Sequence, residues 1–214
     1  MGRKVSSLDG RGGKGDEVAA CLKQIGYNIT ILSDDLLSND DLSKYDAIIT
    51  GVRAYNTMDR LQAHYARLMD YVKQGGNLIV QYNTNNRIGP VLAKMGPYPF
   101  TISRDRVTDE KAEVRIVNTT HPAVTFPNKI SAADFEGWIQ ERGIYFAGER
   151  DKNYETVLSM NDPTEKANEG SLIISKYGKG NFVYTGLVFF RELPAGVPGA
   201  YRLFVNLISL PKNK

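Results

Sequence analysis

The side chains able to do covalent or metal chemistry are few: one cysteine, Cys21, and two histidines, His64 and His121, in 214 residues. A nucleophile elbow needs a Ser or Cys in a sharp strand-to-helix turn, flanked by glycines and beside oxyanion donors. The turn after the fourth strand candidate reads Gln81-Tyr82-Asn83-Thr84-Asn85-Asn86, with no Ser, Cys or Gly. Thr84 is its only candidate hydroxyl nucleophile. Cys21 falls on the apolar face of a predicted helix, the place of a small core residue. His64 lies mid-helix in the predicted pattern. His121 precedes Pro122, which holds its backbone extended in a loop, where it could orient a ligand or cap a turn. Neither HxxxH nor CxxC spacing occurs, so no transition-metal site is expected. Asp34-Asp35 and Asp40-Asp41 read as helix caps or solvated turns in preference to a Ca²⁺ or Mg²⁺ site.

Gly10-Arg11-Gly12-Gly13-Lys14-Gly15-Asp16 follows a strand candidate and opens a helix, the context of a phosphate cradle. Gly10, Gly12 and Gly15 satisfy G-x-G-x-x-G. Asp16, however, stands where an anion would sit, and no P-loop Lys-Ser/Thr pair follows. The better reading is a tight loop over the sheet edge, and no nucleotide or other cofactor is expected.

Polar and aromatic residues gather where strands end. Arg53, Tyr55 and Asn56 follow the third strand candidate, and Gln81, Tyr82, Asn83 and Asn85 close the fourth. Open α/β sheets bind ligands in the crevice outside these carboxyl ends. Arg104 and Arg106 lie in a polar loop. Asp134, Trp138, Gln140, Glu141, Arg142 and Tyr145 lie in or beside DFEGWIQERGIYF, and Arg191 and Glu192 in FFRELPAGVPGAY. From these, a candidate crevice of Arg53, Tyr55, Asn56, Gln81, Tyr82, Asn83, Asn85, His121, Trp138, Glu141, Arg142 and Arg191 is drawn. Aromatics mixed with Arg, Asn, Gln and carboxylates suit a carbohydrate, through stacking and bidentate hydrogen bonds. The competing reading is that Arg–carboxylate pairs and tyrosines only pin long loops to the sheet.

The elements that must carry these residues alternate in the first half. Strand candidates at 5–8, 29–32, 46–51 and 77–81 are separated by a helix capped by Asp16 and closed by Gly26, and by a long helix over 58–73 stopped at Gly75-Gly76. The run DAIITG has the continuous apolar character of a strand buried on both faces. This order predicts a flavodoxin-like doubly wound α/β fold, with a mainly parallel sheet and helices on both faces. The second half offers strands at 113–117, 143–147, 156–160, 171–176 and 181–187, a helical turn within 132–139 and a final helix over 199–209. Tyr177-Gly178-Lys179-Gly180 marks an antiparallel C-terminal hairpin. A single domain over 1–214 is expected.

Composition agrees with a globular domain: 42% hydrophobic and 24% charged residues exclude a disordered or disulfide-stapled chain. The net charge is +3 and no Lys/Arg cluster concentrates it, so nucleic-acid binding is not expected. No apolar run approaches a membrane span. The start lacks an apolar leader and is abrupt, as in a piece of a longer protein, which leaves the compartment open.

Several long strings carry a resemblance. YDAIITG, a helix ending YVKQGGNLIVQ, His121-Pro122 and the closing GKGNFVYTGL resemble the class I glutamine-amidotransferase-like superfamily, in the branch of trehalose-utilisation (ThuA-like) proteins. GDEVAACLKQIGYNITIL, YDAIITGVRAYNT, DFEGWIQERGIYF and FFRELPAGVPGAYRLFVNLISLPK resemble the C-terminal domain of bacterial PIG-L/LmbE-like deacetylase proteins. This resemblance implies an N-terminal, metal-dependent N-acetylglucosamine deacetylase domain as partner in the same longer chain. An exported protein of that kind would be periplasmic or extracellular. Glutaminases of the superfamily carry an elbow Cys and a C-terminal His-x-Glu; here the elbow falls near Tyr82-Asn83 and no histidine follows His121. The resemblance therefore implies a non-catalytic, carbohydrate- or partner-binding domain. The alternative is a ThuA-like enzyme acting on a sugar, with acid–base chemistry from Asp134, Glu141 or Glu192 assisted by Arg53 or His121.

Overall fold

The computed structural model describes residues 3–8, 17–85 and 94–213. The glycine-rich turn and the proposed Asp16 cap lie outside them. Strand β1 (Lys4–Leu8) leads to helix α1 (Val18–Gln24), which buries Val18, Cys21 and Leu22. Gly26 ends that helix in the left-handed region at φ +95, a conformation that costs glycine little. The chain then enters β2 (Asn28–Ile31). Helix α2 (Asp34–Asn39) was not anticipated. Its N-cap is Ser33, whose hydroxyl accepts the Leu36 N–H, while Asp34 and Asp35 occupy the first turn, where negative charge suits the helix dipole.

Strand β3 (Ala47–Thr50) is buried at every residue, and helix α3 (Ala54–Thr57) follows. The continuous helix expected over 58–73 is broken. Met58 is extended (φ −106, ψ 92), Leu61–His64 form a 3-10 turn, and only Tyr65–Lys73 wind as α-helix α4. The broken part holds α2 in place: the His64 ring lies 2.8 Å from the Asp34 carboxylate, and Arg60 reaches the same group at 3.3 Å. Gly75, at φ +118, turns the chain into the expected strand β4 (Asn77–Gln81), which is buried throughout.

The second half is built of short pieces. Strands β5 (Phe100–Ile102) and β6 (Arg106–Val107) precede β7 (Val114–Ile116) and helix α5 (Pro122–Thr125). Next come β8 (Gly143–Ile144), β9 (Ala147–Arg150), β10 (Glu155–Thr156) and β11 (Leu158–Met160). The strand expected over 143–147 is interrupted at Tyr145, whose φ is +54. The one expected over 156–160 is divided between two sheets: β10 pairs with β12 (Leu172–Tyr177), whereas β11 pairs with β7. The helical turn is a 3-10 turn, Ala132–Phe135. The hairpin forms as expected, Tyr177 pairing with Gly180 of β13 (Gly180–Thr185) around Gly178 at φ +57. Helices α6 (Phe189–Glu192) and α7 (Pro198–Ile208) end the chain.

The central sheet has the order β10-β12-β13-β4-β3-β1-β2. Strands β2, β1, β3, β4 and β13 run parallel, and β12 joins antiparallel as the hairpin's outer arm. Registers align alternate residues on each face. Ile49, Ile79 and Val183 point to one core with α1 and α7; Ile48, Leu78 and Phe182 point to the other with α4. Both sheet faces are therefore covered, which is why consecutive apolar residues, Ala47-Ile48-Ile49 and Leu78-Ile79-Val80, form the middles of β3 and β4. This is the flavodoxin-like doubly wound fold, extended by an antiparallel hairpin.

Candidate ligand crevice

At the carboxyl ends of β3, β4 and β13, three loops meet. Arg53 leaves β3 in the left-handed conformation (φ 60, ψ 20) and donates its backbone N–H to the Tyr82 carbonyl at 2.8 Å. A non-glycine residue there costs roughly 1–2 kcal/mol. Tyr145 is held in the same region at φ 54. Such strain persists only where the surroundings impose it, and it concentrates at ligand sites.

Around Tyr82 an aromatic and charged cluster forms from four separate segments. The rings of Tyr82 and Tyr145 stack at 5.7 Å and 20°, and Phe190 tilts against Tyr82 at 5.5 Å. The Arg191 guanidinium lies 4.9 Å from the Phe190 ring centroid and pairs with Glu141 at 3.2 Å. Burial pushes the Tyr82 hydroxyl above its ordinary pKa, while Arg53 and Arg191 pull it back. The hydroxyl therefore stays protonated at neutral pH, next to two guanidiniums and one carboxylate. Arg53 is exposed, whereas Tyr82, Glu141, Tyr145, Phe190 and Arg191 are half-buried. A half-open surface of stacked rings flanked by charge-assisted donors can grip a flat, hydroxyl-rich ligand. Phe190 was not singled out from the sequence, because in the apolar run Val188-Phe189-Phe190 it reads as core.

The amides of this region build the crevice floor. Asn83 Oδ1 accepts the Tyr55 N–H at 2.9 Å, and its Nδ2 donates to the Gln81 carbonyl at 3.0 Å. Asn56 mirrors this, accepting the Thr84 N–H at 2.8 Å and donating to the Thr84 carbonyl at 3.2 Å. Gln81 donates to Thr50 and Asn85 to Ile102. These bonds lock the loop after β3 to the loop after β4. Thr84 is buried within that lock. Neither histidine is its neighbour there: His64 faces Asp34, and His121 lies at the other end of the sheet.

Three residues assigned to the crevice from sequence stand elsewhere. Trp138 is 3% exposed; its ring packs on Phe135 and Phe189, and its Nε1 donates to the Asp134 carbonyl at 3.0 Å. Arg142 is buried and binds the carbonyls of Ala112 and Phe135, so its fork holds loops together. His121 caps α5 through Nδ1, which accepts the Ala123 N–H at 3.0 Å. It lines a depression with Lys176, Asn181 and Pro211 beside the start of β13, and burial lowers its pKa. Arg106 and Glu165 stand 3.8 Å apart on another surface depression, and Arg104 donates to the Asn85 carbonyl.

The carboxylates considered for acid–base work do not converge. Asp134 pairs with Arg202 at 2.7 Å and closes a capping box with Ser131. Glu192 is fully buried and accepts the Ile139 N–H with both oxygens. Only Glu141 reaches the crevice. Among the described residues, no group of three or more His, Cys, Asp or Glu could hold a metal ion, and no helix is long and apolar enough to cross a membrane.

No family model and no curated protein matches the chain. Solved structures do. A GMP synthase-like protein from Thermoplasma acidophilum aligns with TM-score 0.57 at 12% identity, over 98% of this chain and 94% of that one. A ThuA-like protein from Parabacteroides merdae aligns with TM-score 0.52 at 12% identity, over 100% and 93%. A β-galactosidase from Rahnella sp. R3 aligns with TM-score 0.54 at 15% identity over 98% of this chain, which spans 31% of that enzyme's length. The fold is therefore that of class I glutamine amidotransferase-like and ThuA-like proteins.

Proposed function

We propose that this chain is a non-catalytic amidotransferase-like domain whose crevice binds a carbohydrate, and that it serves a sugar deacetylase of the PIG-L/LmbE type as an accessory domain. The observation that carries the reading is the cluster of Tyr82, Tyr145 and Phe190 with Arg53, Arg191 and Glu141 at the strand ends. Aromatic faces stack on the apolar faces of sugar rings, and the guanidiniums and carboxylate hydrogen-bond the hydroxyls. The elbow turn, with no serine or cysteine and Thr84 as its only candidate hydroxyl nucleophile, supports binding without glutamine hydrolysis. The Rahnella β-galactosidase supports an accessory role, since a region of this fold forms part of a sugar-processing chain there.

The test is calorimetric titration of the purified chain with N-acetylglucosamine and with chito-, cello- and galacto-oligosaccharides. Binding by one series is expected, weakened at least tenfold by Arg53→Ala or Tyr82→Ala with the circular dichroism spectrum unchanged. Binding that neither variant alters would overturn the crevice assignment. Hydrolysis of the sugar by this chain alone would overturn the non-catalytic reading.

A further inference from the structure

Next to the crevice lies a cavity of about 580 Å³, walled by Tyr65, Tyr98, Phe100, Pro97 and Asn85. Its size is that of a small-molecule site, roughly 300–1,000 Å³. We infer that this cavity is a second sugar subsite, so that crevice and cavity together hold an oligosaccharide and not a single sugar unit. The inference rests on the carbohydrate reading of the crevice and names the size of its ligand.

The wall is rigid and aromatic. Tyr98 meets Tyr154 and Tyr177 edge-on, at 6.0 Å and 6.1 Å with interplanar angles of 86° and 90°. The Tyr154 hydroxyl donates to the Tyr98 carbonyl at 2.7 Å, and the Tyr65 hydroxyl to the Gly96 carbonyl at 3.0 Å. A ring fixed in this way loses little entropy when a ligand stacks on it. Among the described lining residues Lys94 alone is charged. The cavity is not purely apolar, because Asn85 and Thr101 line it too.

Cavity and crevice share Asn85. Asn85 follows Tyr82 by three residues, a span of at most roughly 11 Å. Phe100 packs on Tyr184 at 5.0 Å, and the Tyr184 hydroxyl donates to the Tyr145 carbonyl at 2.7 Å. A linear sugar seated on Tyr82 and Tyr145 can thus continue past Asn85 onto Tyr98.

Calorimetry with one- to four-unit members of the chito-, cello- and galacto-oligosaccharide series tests this. For the series that binds, affinity should rise at least tenfold from one to four units. Tyr98→Ala should remove most of that gain while leaving the single unit's affinity unchanged, and Tyr82→Ala should weaken every length. Saturation-transfer NMR on the unaltered protein should show two separated sugar units in contact with aromatic protons, which guards against a misfolded variant. Affinity independent of length, or a length gain that Tyr98→Ala leaves intact, overturns the second subsite and leaves the crevice standing. No binding by any series overturns both readings.

Discussion

Replacing Glu192 by Gln probes a buried charge whose energetics the structure makes unusually clear. The Glu192 side chain is fully buried in α6, and both carboxylate oxygens accept a single donor, the Ile139 N–H, at 3.2 and 3.1 Å. Arg142 lies close enough to act electrostatically, but its fork is committed to the Ala112 and Phe135 carbonyls. Burial outweighs these groups and pushes the carboxyl pKa from 4.5 up to about 7. At 1.36 kcal/mol per pH unit, that displacement corresponds to at most roughly 3 kcal/mol of stability. The folded state holds the proton more tightly than the unfolded state. The contribution is therefore full below pH 4.5, is lost as the pH rises toward 7, and levels off above it. Gln keeps an oxygen for the Ile139 N–H and does not ionise. Its amide NH2 adds a cost that does not vary with pH, so the quantity to read is the change with pH. Urea denaturation followed by the fluorescence of Trp138, the single tryptophan, would give the stability of both proteins from pH 4.5 to 8. The variant's stability relative to the wild type should climb by up to about 3 kcal/mol across that range. Titration of His121, whose pKa burial lowers, is common to both proteins and cancels. A difference that stays flat with pH would refute the argument.

Three further outcomes are expected. Asn83→Ala leaves the buried Tyr55 N–H without its acceptor and should cost roughly 1–3 kcal/mol, read as a lower urea midpoint with unchanged m-value. Arg53→Gly should raise stability by up to about 1 kcal/mol, because it relieves the left-handed backbone, yet weaken saccharide binding at least tenfold; loss of stability with binding intact would contradict the strained-site argument. Gly199→Ala places a methyl group into the Asp134 carbonyl, where α7 packs directly on the Ala132–Phe135 turn. That overlap should cost about 1–3 kcal/mol, seen as a melting temperature lower by several degrees, whereas Gly137→Ala, with open space around its Cβ, should lose only what its positive φ imposes.

Local chemistry alone determined much of this protein. The apolar cores of AIIT and NLIVQ are buried on both sheet faces, so β3 and β4 could be read directly, and Gly26, Gly75 and Gly178 mark turns before β2, before β4 and between β12 and β13 because each adopts positive φ. Arg53 and Tyr82 could be placed at a crevice because strand ends are where open α/β sheets bind ligands. The interruption of the helix at Met58 was hidden, since an amphipathic pattern does not show that His64 and Arg60 turn aside to Asp34. Strands β5 and β6 were too short for any periodicity to register. Only the tertiary structure decided which polar residues line the crevice. Arg142 and Arg191 look alike in sequence, yet one is buried against carbonyls and the other, half-buried, meets Phe190 and Glu141 at the crevice. What separates them is the pairing of β13 with β4, residues 104 positions apart in the chain, which carries α6 to the side of Tyr82. Burial and charge environment belong to that long-range pairing, and no window of neighbouring residues contains it.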